Sequence, residues 1–228
     1  MVYDLTESRS GQHCRTFLGD WQSKLIYDDY AGYKACFDQG ITVLGCMAHA
    51  RCKFFEVFAS NKSPVAGHAL DSIKALYRIE RKAGRLKADD RRRLRQKRAV
   101  PILDALHVWL KQQRELVPPG SAIANAVDYS LRRWQAPIRY VDDGHAVIDN
   151  NYCENLVRPV ELGRKNWLFA GSLRAGQRAA AVMSLIQSAM LNGHDPYAYL
   201  KDVLTRLPTT KHKDIGELLP HNWRPAQG

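Results

Sequence analysis

The chain has 228 residues, 45% of them hydrophobic, with 34 Lys and Arg against 23 Asp and Glu and a formal charge of +11. That length and apolar content suit one large soluble domain or two modest ones. No apolar run approaches the roughly 18 residues of a membrane helix, the first residues lack the basic-then-apolar pattern of a secretory signal, and the five cysteines contain no C-x-x-C pair, so a cytoplasmic protein without a disulfide framework or a membrane partner is expected. The cationic excess makes a polyanion the first partner to consider, because neutralising phosphates releases counterions whatever the sequence.

In chain order, residues 1–5 (MVYDL) read as a strand, residues 8–11 as a turn, and residues 13–20 as a short helix, with Phe17 and Leu18 at a spacing suited to it. Residues 24–27 form a second apolar strand that runs into Asp28 and Asp29, followed by a turn into another short helix. Acids at the end of a buried strand stand where open α/β sheets present their ligand sites. They serve equally well as residues that end a strand and begin a turn. Residues 41–44 are the next strand and residues 46–58 a helix. Cys46 and His49, three apart on that helix, invite a metal reading, but a structural zinc site needs four ligands, and His107, His145 and Cys153 do not complete a zinc-like spacing. A packed thiol and a hydrogen-bonded imidazole that fix the helix on the sheet are the expectation.

From about residue 63 to 135 the pattern is helical. Leu70, Ile73, Leu76, Tyr77 and Ile79 make one apolar face, and Ile102, Leu103, Leu106, Trp109 and Leu110 another, with Pro101 at the start of its segment. Between them residues 78–98 carry eleven Lys and Arg against Glu80, Asp89 and Asp90. This run is either a solvated helical hairpin bending at residues 87–89, with Asp89 as N-cap, or a basic arm along DNA phosphates. Pro118, Pro119 and Gly120 break the pattern, and Ser121 caps a helix towards Trp134.

After a turn at residues 142–144 comes the stretch that organises the chain, residues 149–159 (DNNYCENLVRP). Asp149 or Asn150 can cap a helix there. Asn150 and Glu154, and Glu154 and Arg158, lie four apart on a helix face. Asn150, Asn151 and Asn155 surround Glu154 with amides that orient a carboxylate without neutralising it, as a metal ligand requires. A lone acid on a helix is also the ordinary solvated surface residue. Downstream, Arg164 and Lys165 beside Trp167 and Phe169 could grip phosphates and stack on a base, or Trp167 and Phe169 could fill the core from a strand. Residues 179–191 form a small-residue helix ended by Gly193, and helices at 196–206 and 215–219 close the chain.

The blocks at residues 25–33 (LIYDDYAGY), 45–55 (GCMAHARCKFF), 150–159 (NNYCENLVRP) and 162–172 (LGRKNWLFAGS) resemble, in order, those of insertion-sequence-66 family transposases. Residues 191–200 (LNGHDPYAYL) and 217–223 (ELLPHNW) resemble that family's C-terminal element. The resemblance implies an α/β, ribonuclease H-like domain with an Asp, Asp, Glu metal triad, whose second Asp falls on Asp28 and whose Glu falls on Glu154. It implies that residues 1–62 and 137–190 form the ribonuclease H-like core, 63–136 a helical insert and 191–228 a C-terminal helical element. Two Mg²⁺ ions on the carboxylates would activate the attacking oxygen and stabilise the leaving one during DNA cleavage and strand transfer. Arg158, Arg164 and Lys165 are then candidates for phosphate contacts, and Cys46 and His49 supporting residues.

The chain opens at what the resemblance makes the third strand, so the first catalytic Asp and a DNA-end-binding segment are expected upstream of it. Asp29 stands where the family usually has Gly, which sets a like charge beside Asp28. By itself the chain is therefore expected to be a truncated transposase without strand transfer, with a sheet edge open to self-association or a borrowed strand. The alternative is a non-catalytic basic DNA-binding fragment that interferes with full-length transposase by occupying DNA or partner surfaces.

Overall fold

Short polar side chains set where five of the helices of this protein begin. In the computed structural model, which describes all residues except 29, 38, 39, 168–170 and 226–228, and only the backbone of 35 and 164–167, Ser10, Ser63, Ser121, Ser172 and Asp195 each accept a backbone N–H from the helix that follows. Each cap satisfies a donor that the first helical turn leaves open. The described residues are mostly helical, with one two-stranded sheet among them. They divide into two compact units, Ser10–Glu154 and a smaller one made of Met1–Arg9 with Asn155–Gly228. No helix among the described residues is long and apolar enough to cross a membrane.

The larger unit runs α1 (Gly11–Leu18), β1 (Lys24–Tyr27), α2 (Lys34–Phe37), β2 (Thr42–Gly45), α3 (Met47–Asn61), α4 (Pro64–Ala83), α5 (Ala88–Arg98), α6 (Val100–Leu116), α7 (Ala122–Arg132) and α8 (Gln135–Ile138). The strands are parallel, pairing Lys24 with Thr42 and Tyr27 with Gly45, and a parallel pair needs a crossover, here residues 28–41. Gly45 is dictated by close approach: a Cβ there would lie 2.8 Å from the backbone nitrogen of Pro137. Buried residues recur every third or fourth position along α3 and most of α4. Phe54 and Val57 of α3, Ile73 and Leu76 of α4, Leu106 and Leu110 of α6 and Val127 of α7 form one core with Leu44 of β2.

The basic run is not simply a solvated hairpin. Arg95 is 2% exposed, with its guanidinium donating to both oxygens of Glu80 (2.9 and 2.6 Å) and to the carbonyls of Tyr140 (3.0 Å) and Asp143 (2.7 Å). Arg91 donates to the carbonyls of Ala83, Gly144 and Leu86. A buried cation is tolerated only when paired and hydrogen-bonded, as Arg95 is, whereas Arg91 is half-buried and held by carbonyls. Lys87, not Asp89, is the N-cap residue of α5; Asp89 and Asp90 fall in its first turn, where the helix dipole favours acids.

Helix α9 (Asn151–Trp167) begins in the larger unit and continues in the smaller. The smaller unit adds α10 (Leu173–Leu191), α11 (Pro196–Arg206) and a 3-10 turn over His212–Leu218 in place of the expected helix at 215–219. Tyr199, Val203, Leu218 and Trp223 make its core with Ala189. Two expectations are corrected here. Residues 1–5 form no strand: the Tyr3 N–H donates to Ser184 Oγ (2.8 Å) and the Tyr3 hydroxyl to the Leu156 carbonyl, so side-chain and helix-carbonyl partners replace a sheet neighbour. Residues 163–167, one reading of which was a strand, continue α9, while Phe169 lies outside the described residues.

Candidate functional site

Two strand ends and one helix start define the site in the larger unit. Because Tyr27 pairs with Gly45, Asp28 leaves β1 at the same edge of the sheet at which Cys46 leaves β2. Asp28 is exposed, and its Oδ1 accepts the Tyr30 N–H at 3.1 Å, a local turn that holds the carboxylate at that edge. Asp29 lies outside the described residues, so its effect on Asp28 does too.

The approach to α9 is fastened to the start of α3. The Met47 N–H donates to the Ile148 carbonyl (3.0 Å) and the Asn150 N–H to Cys46 Sγ (3.5 Å). Burial pushes the Cys46 thiol up, against backbone N–H groups of Asn150 and His49 that pull it down, with Asp149 adding to the rise. Cys46 is thus a buried neutral acceptor rather than a thiolate nucleophile. Asp149 accepts from the Asn151 N–H (3.1 Å) and the Asn151 side-chain amide (3.0 Å), capping α9, while the Asn150 carbonyl accepts the Glu154 N–H (3.0 Å). In the first turn so formed, Glu154 Oε1 lies 3.5 Å from His49 Nε2, and the carboxylate is 47% exposed.

Tyr77 of α4 completes the arrangement. Its hydroxyl donates to Asp149 Oδ2 at 2.6 Å, and burial, then the hydrogen bond and charge of Asp149, push its pKa well above the usual phenol value, so it remains a donor. The sequence marked Tyr77 only as one residue of an apolar helix face, since nothing local tells a packed ring from a ring whose hydroxyl reaches a carboxylate. Beside the same edge a cavity of about 390 Å³ is lined by apolar residues such as Gly45, Met47 and Leu110 and by polar ones such as Ser130, Arg133 and Arg139. His107 stacks on Trp134 there at 4.6 Å, and burial, aided by Lys111, lowers its pKa.

Cys46, His49, Asn150, Asn151 and Glu154 are therefore brought together. Asn155 and Arg158 are exposed on the part of α9 that belongs to the smaller unit, and the side chains of Arg164 and Lys165 lie outside the described residues. Two buried polar atoms, His49 Nδ1 and Asn150 Oδ1, have no hydrogen-bond partner among the described residues. Among the described residues no three His, Cys, Asp or Glu side chains are gathered as a metal requires. The described residues therefore do not by themselves fit a two-metal centre.

The profile of the transposase IS66 family matches residues 1–178, and that of the IS66 C-terminal element matches residues 184–221. The chain belongs to the IS66 transposase family. The uncharacterized proteins y4hP, y4jD and y4qI of Sinorhizobium fredii are 35%, 34% and 31% identical to this IS66-family chain over 99% of its length. It covers 44%, 46% and 43% of theirs, so it spans less than half the length of the curated relatives it matches. No solved structure matches the chain.

Proposed function

We propose that this chain is part of the catalytic domain of a DNA transposase of ribonuclease H-like type, in which Asp28 and Glu154 are catalytic carboxylates. Its partner is DNA, at the element ends and at the target, and the cytoplasm is where it acts. What supports the reading is the family match over residues 1–178, together with Asp28 at the C-terminal edge of a parallel strand and Glu154 in the first turn of a capped helix. Divalent metal is the group that such carboxylates serve.

The roles of this chain's own residues follow from their contacts. Asp149 holds the first turn of α9, and His49 orients the Glu154 carboxylate without burying it. Asn150 and Asn151 keep the surroundings polar and neutral, so the carboxylate stays available as an acceptor. Arg158, Arg164 and Lys165 are assigned to phosphates, where Arg and Lys position a nucleic acid without reading it.

The test is a strand-joining assay with a labelled duplex bearing a free 3′-hydroxyl and a supercoiled plasmid. It is run with this chain and with a full-length IS66-family relative carrying the equivalent substitutions. Joined product that falls by on the order of 100-fold or more in both Asp28→Asn and Glu154→Gln supports the reading. Joined product indifferent to both substitutions sinks it. The charge of +11 favours one second reading, a DNA-binding protein without catalysis. That reading expects salt-dependent binding unchanged by Glu154→Gln and no joined product in any form.

A further inference from the structure

Helix α4 turns two chemically different faces in opposite directions. Ile73, Leu76 and Ala83 are buried, and Glu80 faces the same way, its carboxylate taken by Arg95. On the other side Lys74, Arg78, Arg81 and Lys82 recur at helical spacing and Arg85 follows in the turn beyond, all five exposed. None of the five takes part in an ion pair among the described residues. Glu80 is the one acid between residues 74 and 87, so no exposed negative charge interrupts the stripe.

We infer that this stripe is a docking surface for the phosphate backbone of duplex DNA. From Lys74 to Arg85 the rise is about 16 Å at 1.5 Å per residue, the axial length of roughly five base pairs at 3.4 Å each. The stripe is held rigid from behind. Arg95 clamps Glu80 to the carbonyls of Tyr140 and Asp143, and Arg91 holds the Ala83 and Leu86 carbonyls at the end of α4. Two arginines of the basic run thus serve the fold so that the outward cations are presented on a fixed frame, which lowers the cost of ordering them on binding.

An anionic membrane is the poorer fit. A helix that lies on lipid needs an apolar face beside its cations, and the apolar face of α4 is already in the core. Through Tyr77 and Asp149 the same helix is tied to the first turn of α9, so DNA held on the stripe is fixed relative to Glu154. That last point rests on the catalytic reading above; the phosphate surface does not.

The experiment is fluorescence anisotropy of the full chain with a labelled 20-base-pair duplex across a salt series. A variant with Lys74, Arg78, Arg81, Lys82 and Arg85 all changed to Gln is compared with one in which the exposed Lys111, Arg174, Lys201, Lys211 and Lys213 are changed to Gln; both lose five positive charges. The stripe variant is expected to bind at least 10-fold more weakly, with the slope of log affinity against log salt flatter by roughly 3 to 4.5, at about 0.9 per phosphate contact. The control keeps the slope within about 1 of the parent. Equal losses in both variants overturn the proposal, as does an unchanged slope in the stripe variant. A stripe variant that loses capture by phosphatidylglycerol vesicles but keeps duplex binding also overturns it. If the fivefold variant loses helical circular dichroism, Arg78→Gln with Lys82→Gln carries the same comparison with half the slope change. The stripe variant is read by this slope and the catalytic reading by the joining assay, so failure of one is distinguished from failure of the other.

Discussion

The Tyr77 hydroxyl donates to Asp149 Oδ2 at 2.6 Å, across 72 positions of sequence. The same carboxylate oxygen accepts from the Asn151 side chain, and its partner oxygen caps α9. One bond thus ties a core helix to the helix that carries Glu154. Tyr77→Phe keeps the ring and removes the donor. A hydrogen bond to a charged group contributes roughly 1.5–3 kcal/mol when buried, and about 1–2 kcal/mol is expected at this half-buried site. The thermal midpoint should fall by about 2–4 °C per kcal/mol. An unchanged midpoint would show that the bond is not formed.

Removing one partner of the Arg95–Glu80 pair should cost far more than removing any exposed cation of the same run. Glu80→Gln leaves a 2% exposed guanidinium with one fewer charge partner, and an uncompensated buried charge costs about 3–5 kcal/mol. Arg93→Gln, at an exposed pair with Asp90, should cost less than about 1 kcal/mol. Urea midpoints of the two variants side by side check the ranking, and comparable losses would contradict it.

Acid should weaken the larger unit partly through Asp143. The Lys24 ammonium beside it, and then the His145 N–H, hold its carboxyl below the usual aspartate value. A depressed folded pKa gives stability that is present above the unfolded value, about 3.9, and lost as pH falls through the folded one. Lys24→Met should therefore lower stability at neutral pH and shrink the loss between about pH 4 and the acid limit. Denaturation midpoints across that range measure it, and parallel curves for the two proteins would remove the pair from the account.

Thiol reactivity should divide the five cysteines by environment. Cys52 and Cys153 are exposed, Cys36 and Cys46 buried. Burial, then the hydrogen bond and proximity of Cys36 at 3.0 Å, push the Cys14 thiol up to about 12. Thiolate is the reacting species, so limited iodoacetamide at pH 8 should label Cys52 and Cys153 well before Cys14. Peptide mass spectrometry reads the order, and early labelling of Cys14 or Cys46 would contradict it.

Much of the local structure was legible beforehand. Ser121 was readable as a cap because a hydroxyl acts within three residues of itself, and the strands at Lys24–Tyr27 and Thr42–Gly45 because short β-branched or aromatic runs favour the pleat. Residues 1–5 have the same composition but no neighbour to pair with, and a strand without a ladder is only a sequence pattern. Residues 163–167 continue a helix because the chain was already helical, at no fresh nucleation cost.

By itself the sequence determined the starts of α7 and α11, the two strands and the positions of Asp28 and Glu154 at a strand end and a helix start, since caps and periodicity act over a few residues. Only the tertiary structure decided that Arg91 and Arg95 turn inward while the other cations face outward, that Tyr77 holds Asp149, and that Glu154 meets His49. Those outcomes depend on which groups become partners once water is excluded, and partners 15 to 105 positions away leave no local trace.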